Sequence, residues 1–414
     1  MVRIRPFAAL RPKREIASKL AAPPYDVLSS EEARELIKGN DYSFLRISKP
    51  ESTLPADIDI YDDRVYARGL ENFTIFRKNG WLVQDDEPHL YVYRQIMGEH
   101  CQTGLVAAAS TLDYEEDRIK KHELTRIDKE DDRMRHIETL NAQTGPVFLT
   151  YRAVKAIDEM VATVTENEEP EYDFVDELNV RHIFWVIRDF TLQEAIIREF
   201  AGLDVMYVAD GHHRSASATR VMKKRRELAG SAFTGNEEYT GFLSVIFPHD
   251  QMQIMGYNRV VKSIPLPSED DLLTEAAKVF TVEEVQGGQP DRVGDIRMYF
   301  RSRWFKLTPK QGTYDASDPV ASLDVDILQK NLLAPVLNIE DPRKSKEIDF
   351  VGGIRGIGEL TQLVDSGKFK VAFSLFPVTV EQLMAIADSG KIMPPKSTWF
   401  EPKLRSGLAI HLLD

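Results

Sequence analysis

The segment Val208-Ala209-Asp210-Gly211-His212-His213-Arg214-Ser215 concentrates more reactive side chains than other stretches of this chain. An apolar run ends at an acid, a glycine permits a tight turn, and two histidines and an arginine precede a helix predicted from about Ser215 to Leu228. That is the make-up of an anion site. Backbone N–H groups at a helix start lack intrahelical partners, and an arginine fork matches phosphate geometry. His212 and His213 can donate to phosphate oxygens, while Gly211, Arg214 and Ser215 are assigned to phosphate contact. Asp210 can hold a magnesium ion or fix the loop. The plain alternative is a strand–turn–helix joint with ordinary polar residues. Adjacent histidines joined to an acid and an arginine behind an apolar strand favour function.

A second cluster is Lys120-Lys121-His122-Glu123-Leu124-Thr125-Arg126. A carboxylate beside a histidine and flanked by cations can serve as general base toward a hydroxyl. His122 and Glu123 are therefore catalytic candidates, with Thr125 and Arg126 as substrate contacts. A solvated loop with surface ion pairs is the alternative. Near the C-terminus, Lys396, Ser397, Thr398, Lys403, Arg405 and Ser406 bring cations and hydroxyls together, with Trp399 and Phe400 as stacking surfaces. The five lysine, arginine and hydroxyl positions Lys396, Ser397, Thr398, Lys403 and Arg405 are assigned to nucleotide or phosphate. Tyr25 and Asp26, in a Pro-Pro turn, are offered as substrate contacts. Arg133 and Arg135 are expected to satisfy acidic neighbours, and Met252 and Met255 to be core. His122, His212 and His213 could instead be metal ligands, which metal analysis of the purified protein would test.

The elements that must position these groups alternate between strand and helix. Ser29 and Glu32 have capping-box spacing, so Ser30–Lys38 is predicted helical. Leu90–Ile96 and Gly104–Leu112 read as strands. A helix is predicted over Asp128–Ala142, with Asp128, Glu130, Asp131 and Asp132 favouring its dipole, and Val147–Tyr151 follows as a strand. His182–Ile187, Val205–Ala209 and Phe242–Phe247 read as further strands and Leu192–Phe200 as a helix. After Pro265-Leu266-Pro267 the pattern restarts with strands at Arg297–Arg301, Trp304–Leu307 and Val371–Phe376 among helices. The fold class is α/β, in the α+β sense. Boundaries are placed near residues 100 and 263, although no Gly/Ser-rich tether marks either.

Composition narrows the function classes. At 414 residues, 43% apolar and 29% charged, the chain can bury a substantial core and holds two or three domains at roughly 150 residues each. The net charge of −13 argues against broad nucleic-acid backbone binding but leaves room for a local basic pocket. No apolar run reaches the ~18 residues of a membrane helix, and the N-terminal Phe7–Leu10 run is too short for a signal peptide. With Cys101 alone, intrachain disulfides, CxxC motifs and thiolate zinc clusters are excluded. A cytoplasmic protein is expected. P-loop, dinucleotide-binding, HExxH and GxSxG signatures are absent.

The order of these motifs resembles two families. Nearly the whole chain is similar to a bacterial and archaeal family known as domain of unknown function 1015, on the strings Pro23–Val27, His122–Arg126, Asp210–Arg214 and Pro394–Leu408. More narrowly, the His-Glu pair followed later by Asp-Gly-His-His-Arg resembles the free serine kinases of the ParB/sulfiredoxin-like superfamily. That resemblance implies a ParB/sulfiredoxin-like core over 101–262, between N-terminal (1–100) and C-terminal (263–414) α/β segments. It implies Glu123 as the base that deprotonates serine, and Asp210–Arg214 as the turn that holds nucleotide phosphates and metal. About sixty residues separate Tyr151 from Asp210, where compact serine kinases pass almost directly from strand to turn; an inserted strand and helix would account for them. The expected activity is phosphoryl transfer between ATP or ADP and free L-serine, with Mg²⁺ and with a homodimer as the expected assembly. Alternatives are a phosphoserine-dephosphorylating enzyme and a nucleotide-gated ParB-like binding protein. Membrane and nucleic-acid partners are not expected.

Overall fold

A computed structural model describes residues 1–414. The chain forms two compact units, Met1–Met252 with Pro402–Asp414, and Gln253–Glu401. No helix is long and apolar enough to cross a membrane. The fold is mixed α/β.

All five residues of Val147–Tyr151 are buried, so this strand has no face to offer solvent and takes an interior place in the sheet. The first unit is built on a nine-stranded mixed sheet. Its order is Ile119–Lys120, Met206–Asp210, Val147–Tyr151, Gly241–Pro248, His100–Ser110, Leu90–Met97, Val180–Ile187 and Tyr172–Val175, with Ile4–Arg5 pairing His100–Ser110 off this path. Val147–Tyr151 runs parallel to Gly241–Pro248 and antiparallel to Met206–Asp210. Residue 100 lies inside the hairpin of Leu90–Met97 and His100–Ser110, where Met97 faces His100. The first hundred residues thus supply two strands to this sheet.

The passage from Tyr151 to Asp210 contains two helices, Lys155–Asn167 and Phe190–Ala201, and two strands, Tyr172–Val175 and Val180–Ile187. That is twice the strand and helix expected. Ile157, Val164, Ile196 and Phe200 on these helices join the core of Val147, Leu149 and Val208. Asp189 caps the second helix by accepting from the backbone N–H of Thr191 and Leu192. The Ser29–Glu32 capping box closes in both directions over Ser30–Leu36.

Two helices flank the clusters picked out above. Ile127–Leu140 stops short of Ala142 because Asn141 turns left-handed at φ +51°. His212–Ala229 begins three residues earlier than expected. The two are tied by Arg220 to Glu130 (3.1 Å) and Asp131 (2.7 Å), and by Lys224 to Glu138 (2.7 Å).

The second unit carries a six-stranded antiparallel sheet ordered Phe280–Val285, Arg303–Pro309, Ile296–Phe300, Val371–Ser374, Tyr257–Val261 and Ile348–Gly352. Helix Gly356–Asp365 packs Leu360 into a core with Val260, Tyr299, Trp304 and Ala372. Met252 and Met255 are half-buried rather than core; Met255 lies in a separate two-stranded ribbon, where it faces Trp399.

Candidate active site

A short parallel pairing sets the site. Met206 lies opposite Ile119 and Tyr207 opposite Lys120, so the two chains leave the sheet side by side, one into His122-Glu123 and the other into Asp210-Gly211-His212. The register of Met206–Asp210 against Val147–Tyr151 shifts between Val208 and Asp210, which re-aims the strand end. Gly211 then takes φ +96° and the helix starts at once, with no side-chain cap over its first turn. A Cβ at Gly211 would lie 3.4 Å from Val147 Cα and 3.1 Å from Arg214 Nε. Gly211→Ala is therefore expected to cost about 1–3 kcal/mol of stability. An unchanged urea midpoint would show that the turn relaxes freely.

The motifs meet through their side chains. Glu123 Oε2 stands 3.8 Å from His212 Nδ1, and the rings of His122 and His212 pack edge to face with centroids 4.5 Å apart. The backbone N–H of Arg126 donates to His213 Nε2 at 3.1 Å. Lys403 Nζ lies 3.1 Å from Asp210 Oδ2, and Arg214 approaches Asp210 at 3.8 Å and Asp26 at 3.3 Å. Arg214 also donates to the carbonyl of Pro146. The Glu123 side chain is 45% exposed against 4% for His212, so the carboxylate is the accessible member of that pair.

Charge at the site follows from burial and these contacts. Burial pushes His122 down to about 4 and His212 well below its ordinary value, and it lowers His213 as well. All three are neutral at pH 7. A neutral His212 does not cancel the charge of Glu123. Burial alone would raise Asp210, but the charges of Lys403 and Arg214 outweigh it and hold the carboxyl well below the usual range. Asp210 is thus an ionised acid at a strand end. No group of three or more His, Cys, Asp and Glu side chains gathers as a metal cage. In place of the three-histidine set, His122 and His212 pack edge to face and His213 accepts from the backbone.

Beside Arg214 lies a cavity of about 30 Å³ whose walls include Tyr25, Arg133, His136, Thr144, Gly145 and Ser406. The Arg133 guanidinium sits 4.0 Å above the Tyr25 ring while pairing with Asp132 at 2.7 Å. Arg133 does satisfy an acid, as expected, yet its stacking on Tyr25 brings it to this wall too. In sequence Arg133 reads only as a partner of its acidic neighbours, and His136 did not stand out, because a cationic or polar position among four nearby acids reads as a solvated helix face.

Other candidates fall elsewhere. Ser215 is fully buried and its hydroxyl donates to the carbonyl of His212 at 3.0 Å, so it braces the helix start and does not front the site. Thr125 donates to Glu130, and the Arg126 guanidinium pairs with Asp128 at 2.8 Å. Arg405 is spent on Asp176 and Glu177, the latter at 2.9 Å, and Asp176 also holds His182 at 2.9 Å. Both Arg405 and Asp176 are about 95% buried at the side chain, so Arg405→Met is expected to cost about 3–5 kcal/mol in unfolding free energy. A phosphate-binding role for Arg405 would instead show as weaker nucleotide binding with unchanged stability. Lys396, Ser397 and Thr398 belong to the Gln253–Glu401 unit.

Among solved structures, the chain is similar to a free serine kinase in complex with AMP, at 13% identity over 69% of this chain and 84% of that one, with a TM-score of 0.37. It is similar also to a conserved hypothetical protein from Pyrococcus furiosus (13% identity, 72% and 93% covered, TM-score 0.37). SbnI with a C-terminal truncation, from Staphylococcus aureus, follows at 12% identity, 74% and 87% covered, with a TM-score of 0.40. No curated protein sequence matches. The model of the protein family of unknown function DUF1015 matches residues 4–326, a span that includes both motifs of the site, and the chain belongs to that family.

Proposed function

We propose that this protein transfers a phosphoryl group from ATP or ADP to the hydroxyl of a small hydroxy amino acid, free L-serine. The observation that carries the reading is the 3.8 Å approach of Glu123 to His212, which joins a half-exposed carboxylate to the anion-binding turn. A serine hydroxyl is a poor nucleophile at neutral pH. In the step proposed, its oxygen bonds to the terminal phosphorus, its proton passes to Glu123, and the bond to the departing nucleotide phosphate breaks. Arg214, Lys403 and the uncapped N–H groups of helix His212–Ala229 bear the charge of the phosphates. Asp210, ionised at the strand end, would be the residue to hold a Mg²⁺ ion. Bound so, the ion would neutralise charge on the transferred group. Tyr25 and Asp26, beside Arg133 and Arg214, are the proposed substrate contacts.

The test is incubation of the purified protein with L-serine and ATP, ADP or pyrophosphate in turn, followed by ³¹P NMR. A serine-dependent O-phosphoserine signal is expected with a nucleotide donor. Release of phosphate from phosphoserine, with no transfer in either direction when AMP or ADP is added, would replace this reading with a phosphatase.

A further inference from the structure

The Gln253–Glu401 unit has a cavity of its own, with Tyr257, Arg259, Asp324, Gln382 and Ser397 on its walls. Arg259 is the anomaly there. It is 3% exposed, its guanidinium donates to the carbonyls of Tyr257 and Lys396 (2.9 Å to the latter), and no carboxylate meets it. Other buried guanidinium groups in this molecule are neutralised: Arg297 lies 2.7 Å from Asp295 and 3.0 Å from Asp291, and Arg405 pairs with Asp176 and Glu177. A buried charge without a partner is costly enough that native folds supply one. Burial accordingly pulls Arg259 down to about 9.

The surroundings are those of a host for an anion. The acid on the wall, Asp324, is held by the backbone N–H of Gly294 at 2.9 and 3.0 Å, and burial pushes its carboxyl up to about 7. It is therefore only about half ionised near pH 7, and no ion pair joins it to Arg259. The amide oxygen of Gln382 is committed to the N–H of Thr379, which leaves its NH₂ group as a donor. Lys396 adds a second cation, exposed, with Nζ 5.5 Å from the Tyr257 ring centroid. Guanidinium and amide donors together match an oxyanion.

We propose that Arg259 is the binding group for a small oxyanion, a carboxylate or a phosphate, in this cavity of the Gln253–Glu401 unit. The site is independent of the phosphoryl-transfer reading. The test titrates the full-length protein with inorganic phosphate and, separately, with acetate, followed by calorimetry and thermal unfolding. Two variants accompany the wild type: Arg259→Gln removes the cation, and Val293→Phe places a larger side chain at a wall residue that is 42% exposed, closing the cavity from outside the core. Saturable binding of at least one anion is expected, weakened about tenfold or more in both variants. Should Arg259→Gln fail to fold, Val293→Phe decides. The proposal is overturned if neither anion binds the wild type saturably, or if Val293→Phe binds as the wild type does.

Discussion

Glu123→Gln is expected to lower serine phosphorylation by about 10² to 10⁴-fold while nucleotide binding stays within about twofold of wild type. The substitution keeps the shape of the side chain and its place beside His212, and removes the ability to take a proton. The proposed phosphate-holding groups, Arg214 and Lys403, anchor on Asp210 and Asp26, so the nucleotide should not sense the change. Burial keeps His212 neutral, but its Nε2 is enclosed without a hydrogen-bond partner and its Nδ1 faces Glu123, so it is poorly placed to substitute as base. Single-turnover rates at saturating serine and nucleotide, with calorimetric nucleotide affinity alongside, separate the two effects. A Glu123→Gln protein that turns over at the wild-type rate ends the assignment of Glu123 as base.

The candidate site was legible where it lies in consecutive residues. Asp210–Arg214 and His122–Glu123 announce themselves because a strand end, a glycine and clustered titratable groups leave few bland readings. The parts that come from far along the chain were less so. Asp26 reaches Arg214 across 188 positions, and Arg133 joins Tyr25 through a stacking contact that no local pattern encodes. Lys403 and Arg405 stand two residues apart in one basic stretch, yet one meets Asp210 and the other Asp176, because distant carboxylates decide which cation is structural. Helix boundaries slipped for a similar reason. Gly211 was recognised as a turn residue, but only its left-handed φ lets the helix begin at His212. Helix Lys155–Asn167 carries Ile157, Met160, Val161 and Val164 at helical spacing, while its valines and threonines also suit a strand. The boundary expected near residue 100 met a hairpin held by pairings as distant as Ile4 with Ala109.

The second large effect is on stability in mild acid, above the pH at which most carboxylates titrate. His122 and His136 are both buried and pushed down to about 4, and His212 moves in the same direction. In the unfolded chain each titrates near 6.5. Between pH 6.5 and about 4 the unfolded state therefore binds more protons than the folded one, and stability falls as pH falls. By pH 5 each such histidine withdraws about 2 kcal/mol from the Met1–Met252 unit that holds all three, and together they approach the lower end of what a domain has, about 5–15 kcal/mol. Asp324 of the Gln253–Glu401 unit, pushed up to about 7, takes up its proton in the same window with the opposite sign. Asp210, held low by Lys403 and Arg214, and Asp176, held low by hydrogen bonds from His182, Val180 and Arg405, stay ionised through this window and lose their contribution only at lower pH. Urea unfolding at pH 7.5 and pH 5 reads the slope. His136 isolates one share of it, since its Nε2 bonds the carbonyl of Ile47 at 3.0 Å and a glutamine amide can make the same bond without titrating. His136→Gln is expected to recover about 2 kcal/mol of the difference between the two pH values. An unchanged difference would mean that His136 is solvated, or already charged, in the folded protein. The same titration bears on the site: protonating His122 or His212 would set a cation against Glu123 and weaken it as a proton acceptor, so activity is expected to fall in acid no later than the fold does.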